Sequence, residues 1–167
     1  MSQAQVTALL GKPTSQAPFN LEKISAYVMT YPFGQILLQD GRTVAITVAD
    51  DPSYAGPLGV KLGIQEDSVK AALSAHKERR TGHRDSYDVV VGSSDTRTRD
   101  LYDETDHLMI EMAAPNPNDP MAPFNVISIT QAGDEGLALL AAITKAKVGG
   151  LYPDQHVLNF ESVPWST

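Results

Sequence analysis

The chain states one pattern twice. The run Val6-Thr7-Ala8-Leu9-Leu10-Gly11, closed by Lys12-Pro13, has a counterpart in Val69-Lys70-Ala71-Ala72-Leu73-Ser74. Each helical stub leads, after a polar gap, to a tyrosine-led run with strand character, one starting at Tyr31 and the other at Tyr102. A second β-rich run follows each, at residues 44–48 and 126–130. A repeated helix–strand–strand unit limits the possible folds, because one such unit has too little apolar surface to bury alone and must share a core with its neighbour. The pattern predicts an α+β protein of two related helix-plus-antiparallel-sheet units with an additional C-terminal helix. The expected division is residues 1–58, 59–133 and 134–167, the last packed on the core.

Local signals refine this. Val6, Leu9 and Leu10 form the apolar stripe of a short helix that Gly11 and Pro13 stop. Residues 14–25 are polar and suggest no element. A strand begins near Ala26, is interrupted by Pro32 and Gly34 as a bulge or turn, and resumes at Gln35. Asp40-Gly41 between β-rich runs is a strong hairpin signal, since both residues tolerate positive φ. Val69, Ala72 and Leu73 give the second helix its buried stripe, with acid in its first turn. Strands are expected at 87–91, 108–112 and 126–130. Pro115, Pro117, Pro120 and Pro123 make the stretch before the last of these an extended loop. Asp134 is expected to cap a helix reaching about Lys147, stopped by Gly149-Gly150. Its Leu137, Leu139, Leu140, Ile143 and Val148 cover more than one face, so it is expected to be buried. A last strand is expected at 156–160.

Composition excludes several functions. A chain of 167 residues with 42% hydrophobic content can bury a real core. A net charge of −7 argues against nucleic acid, whose binding requires a basic face. The longest apolar stretch, near 137–143, is too short to span a bilayer, so no membrane insertion is expected. There are no cysteines, which removes disulfides, thiolate metal sites and a cysteine nucleophile. Residues 1–5 do not read as a signal peptide. The expected location is periplasmic or secreted if one precedes Met1 in the natural chain, and cytoplasmic otherwise.

The stretch Gly59-Val60-Lys61-Leu62-Gly63, followed by a short helix through Leu73, resembles a known pattern. It is Gly-apolar-x-apolar-Gly leading into a helix and strands. The pattern resembles the small outer-membrane-assembly lipoproteins of bacteria and the tandem β-lactamase-inhibitor-protein fold, in which helices pack on an antiparallel sheet. The inhibitor holds two such units in one chain of similar length. The resemblance covers roughly residues 4–48 and 59–130. Gln65 stands where the family prefers Ser or Thr, and the first unit lacks the glycine lead-in. The resemblance implies a protein that binds another protein and is not an enzyme.

No residue pattern points to catalysis, a cofactor or a metal. His76, His83, His107 and His156 lack a His-Glu-x-x-His spacing. The acids Asp95, Asp100, Asp103, Glu104 and Asp106 lack the spacing of a calcium loop and read as a polar loop or exposed strand edge. Gly92-Ser93-Ser94-Asp95 is not a nucleophile elbow. The favoured reading is a non-enzymatic protein-binding module of inhibitor, immunity or envelope-assembly accessory type. Its expected contacts are the aromatic row Tyr27, Tyr31 and Phe33, the basic residues Arg79, Arg80 and Arg84, and Tyr102, with another protein as partner. Core burial of the aromatic row is the competing interpretation. One alternative is a small metal-dependent hydrolase around His83, Asp85, Asp106 and His107. The other is a carrier of a small apolar ligand between sheet and tail helix.

Overall fold

The structure is a computed structural model that describes residues 1–21, 24–74, 83–91, 96–103, 107–114, 119, 121–146 and 156–164. It is α+β. The chain opens with helix α1 (Gln3–Leu10), then strands β1 (Ser15–Leu21), β2 (Ile24–Tyr31), β3 (Gly34–Gln39) and β4 (Arg42–Val48). A short 3-10 turn at Pro57–Gly59 precedes α2 (Glu66–Ser74). Strands β5 (His83–Val91), β6 (Thr96–Asp103), β7 (Leu108–Ala114) and β8 (Asn125–Ala132) follow. Helix α3 (Asp134–Ala146) and strand β9 (His156–Pro164) end the described chain.

All nine strands lie in one antiparallel sheet in the order β1-β2-β3-β4-β8-β7-β6-β5-β9. The first four strands run as a meander, and so do β5 to β8. The two meanders meet where Ala45–Val48 pairs with Ile129–Ala132. The turns follow local chemistry. Asp40 (φ 49°) and Gly41 (φ 75°) both take the positive φ that a two-residue hairpin between twisted strands needs. The expected pairing of the flanking strands around them is observed.

α1 begins with a capping box. The Gln5 N–H donates to the Ser2 hydroxyl at 3.3 Å, and the Ser2 N–H donates to Gln5 Oε1 at 2.8 Å. Gly11 ends the helix at φ 81°, its N–H donating to the Thr7 carbonyl. The glycines of the lead-in to α2 behave alike: Gly59 and Gly63 stand at φ 77° and 81°. Gly63 N–H donates to the Val126 carbonyl and Val126 N–H to the Ile64 carbonyl, so the lead-in continues the sheet beside β8.

Four sequence expectations need correction. Residues 15–21 form a strand, although they are polar and contain Pro18; β1 is a sheet edge, where proline is tolerated. The tyrosine-led strands are displaced, since Tyr31 ends β2 and Tyr102 lies near the end of β6. The acidic run is neither loop nor edge over Thr96–Asp103, because β6 runs between β7 and β5. The predicted α1 stripe also fails in part: Val6 is buried, but Leu9 is 69% exposed.

Candidate functional site

Directly opposed residues of paired strands share a sheet face, and the faces alternate along each strand. Ile36 stands opposite Ile46, Ile46 opposite Gln131, and Gln131 opposite Leu108. That ladder defines one face. Val6 of α1 packs there with Met29, Tyr31, Ile36 and Leu38, while Val69 and Leu73 of α2 pack with Leu101, Ile110, Met112 and Val126. Both helices therefore cover the same side of the sheet.

The other side carries α3. Val28 stands opposite Leu37, Leu37 opposite Ala45, and Ala45 opposite Ala132. Leu137 and Leu140 sit on this row beside Met109. A bulge between Leu37 and Leu38 leaves Val44 as the extra residue of β4. Gly136 lies against it so closely that a Cβ there would overlap the Val44 carbonyl oxygen. The apolar and small residues of α3 (Gly136, Leu137, Leu139, Leu140 and Ile143) fall within an arc of roughly 160° at 100° per residue, with Ala138 and Ala142 exposed. Leu137 and Leu139 are buried, as expected of a helix packed on the core, and Val148 lies outside the described residues. Gly133, rather than Asp134, supplies the carbonyl that accepts the first helical hydrogen bond, from Leu137 N–H.

Among the described residues, no helix covers the α3 face at its β1–β3 end. Ser15, Thr30, Gln35, Thr47 and Thr130 make a continuous row across five strands. Ser15 and Gln35 are exposed, Thr30 and Thr47 half-buried, and Thr130 fully buried. Thr47 and Thr130 hydroxyls lie 2.8 Å apart and share a hydrogen bond. Beyond them the Ser128 hydroxyl donates to Glu111 Oε2 at 3.2 Å. Next to this polar row, Phe19, Val28 and Leu37 are apolar and only half-buried. A polar row beside a partly exposed apolar row is the composition of a surface that can receive another macromolecule: the apolar side chains give area and the hydroxyls and amide give direction.

Of the sequence-predicted contact residues, Tyr27, Tyr31 and Phe33 have described side chains. Tyr31 is 5% exposed, and its hydroxyl donates to the Gly11 carbonyl at 3.2 Å. Phe33 stacks on it with ring centroids 5.5 Å apart, and Tyr27 packs on the same cluster. Tyr31 is thus part of the core under α1, the competing interpretation of the row, while Tyr27 and Phe33 are half-buried against it. Arg79 and Arg80 lie outside the described residues. Arg84 is in β5 and Tyr102 in β6 opposite Met109, with side chains outside the described set. Of the hydrolase alternative, His83 and Asp85 are in β5 opposite Pro164 and Ser162, and Asp106 is outside the described residues. His107 is exposed in the turn before β7, with Nε2 2.9 Å from Asp134 Oδ1. No group of three His, Asp or Glu among the described residues is placed to hold a metal.

Sequence reasoning missed Thr30, Gln35, Thr47, Val28 and Leu37. Strand alternation held the signal, since each stands one residue from a buried neighbour. What it lacked was knowledge of which face the helices cover. No described helix is long and apolar enough to cross a membrane. Comparison with family models, curated proteins and solved structures finds no match to this chain.

Proposed function

We propose that this chain is a non-enzymatic protein-binding module of two related helix-plus-sheet units, whose binding surface is the β1–β3 part of the α3 face. The observation that carries this reading is the placement of α1 and α2 on one side, which leaves the opposite side, among the described residues, with a row of exposed Ser15 and Gln35 and half-buried Thr30 and Thr47 beside half-buried Phe19 and Val28. The tandem arrangement is supported by the element order, a helix then four strands given twice, with the last strand of each set adjacent at the centre. The sequence resemblance to the tandem inhibitor fold favours an inhibitor, immunity or envelope-assembly accessory role over catalysis. The net charge of −7 favours a basic partner.

The test is quantitative affinity capture from an extract of the native host, with the parent chain and with Gln35→Glu, Val28→Asp and Ala71→Asp variants. Ala71 is exposed on α2, on the other side. A partner retained by Ala71→Asp and lost by Val28→Asp, then rebinding as purified protein with the same ranking, supports the assignment. Equal retention by all variants, or loss on Ala71→Asp alone, contradicts it.

A further inference from the structure

The three apolar clusters of the described residues divide the molecule unevenly. The cluster under α1 draws only on residues from Val6 to Ile46. The cluster under α2 draws only on residues from Tyr54 to Ile129. One cluster mixes the two halves of the sheet: Leu37 and Ala45 from the first meander, Met109 and Ala132 from the second, held together by Leu137 and Leu140 of α3. The ladder between the meanders is short, four residues on each side. On the α1/α2 face that seam offers Val48 opposite Ile129 and then Ile46 opposite Gln131, which is exposed. On the α3 face it has the Thr47–Thr130 hydrogen bond. Among the described residues, the apolar pairs that join the halves apart from α3 are Val48–Ile129 and Ala45–Ala132.

From this division we infer that α3 is a brace across a hinge. The β4–β8 seam is the line along which the sheet bends, and α3 holds it closed by standing on both sides of it at once. The fit is short-range. Gly136 presses on the Val44 carbonyl of the first meander, and Asp134 makes an exposed contact with His107, in the turn before β7 of the second. Leu137 packs in one cluster with Ala45 and Ala132, one from each meander and both small. Release of α3 removes the apolar contact that spans the seam and leaves each meander with its own helix and core intact. The consequence is a change in sheet curvature with two preserved halves, rather than unfolding. This is independent of which partner, if any, the protein binds.

The cysteine-free chain allows a direct test. Spin labels at Leu9→Cys on α1 and Ala71→Cys on α2, both exposed positions, report the distance between the halves. Hydrogen exchange reports the seam. In the full-length chain carrying Leu137→Ala and Leu140→Ala, the amides of residues 45–48 and 129–132 should lose at least tenfold protection. Those of Ile36 and Ile110 should keep theirs, and the label distance should gain a second population. A Leu73→Ala control, destabilised inside one half, should leave the distance single. Should the double variant fail to fold, the unmodified chain in low urea serves: α3 and seam amides should open together, before those of Ile36 and Ile110. Uniform loss of protection with an unchanged label distance, or opening of α3 without the seam, overturns the inference.

Discussion

Tyr31 shows how one residue can look functional in sequence and be structural in space. Its ring is buried under α1, and its hydroxyl is used to satisfy the carbonyl of the Gly11 cap. Tyr31→Phe should therefore lower stability by about 0.5–1.5 kcal/mol, the net worth of such a hydrogen bond. Urea melts should show that loss with no change in partner capture. Gly136 is a sharper case. Alanine in a helix interior is favoured over glycine by about 1 kcal/mol, but here the added methyl meets backbone, the Val44 carbonyl, which cannot rotate away. Overpacking of about 1–3 kcal/mol wins, so Gly136→Ala should destabilise, while Gly133→Ala, with open space around it, should change little. Tyr54, half-buried against the cluster under α2, has its phenol pushed above the usual 10.0 by loss of solvent. The fold binds that proton more tightly than the unfolded chain does, so the associated stability is present below the unfolded value and is lost as pH rises through the native one. The urea midpoint should fall less for Tyr54→Phe than for the parent between about pH 8 and about pH 11.

At the scale of elements, the sequence was legible where apolar periodicity and turn chemistry agreed. α2, the β3–β4 hairpin around Asp40-Gly41 and α3 all appear close to where the pattern predicts them. β1 was not legible, because an edge strand with one neighbour and little burial has no apolar alternation to show, and Pro18 argues against a strand until its edge position is known. The strands around Tyr31 and Tyr102 are displaced because each tyrosine stands at or near a strand's end, Tyr31 closing β2 and Tyr102 lying one residue before the end of β6. Tyr31 reads as a candidate contact for a related reason. Alternation sorts Tyr27, Met29 and Tyr31 from Val28 and Thr30 without saying which set lies under a helix. Pro18 has its own role at this scale. A proline in an exposed edge strand removes a donor that another chain would use to extend the sheet. Pro18→Val should therefore give an apparent mass that rises with concentration in light scattering, and Pro18→Lys should not, since lysine also blunts an edge.

The whole molecule is one antiparallel sheet with a division of labour between its faces. One side is closed by α1 and α2, each on its own meander; the other carries α3 over the centre and leaves a polar row and a half-buried apolar row open toward β1. That asymmetry is the physical basis for the binding reading, and it depends on no particular partner. Photo-cross-linking in native-host extract tests it most directly, with a benzophenone side chain placed singly at Ser15, Thr30 and Gln35 on the α3 face, and at Leu9, Lys70 and Ala71 on the helices of the opposite face. A discrete adduct of one mass from the first three positions, absent from the second three, is the predicted result. Adducts confined to Leu9, Lys70 or Ala71 would contradict the account and move the binding surface to the other side of the sheet.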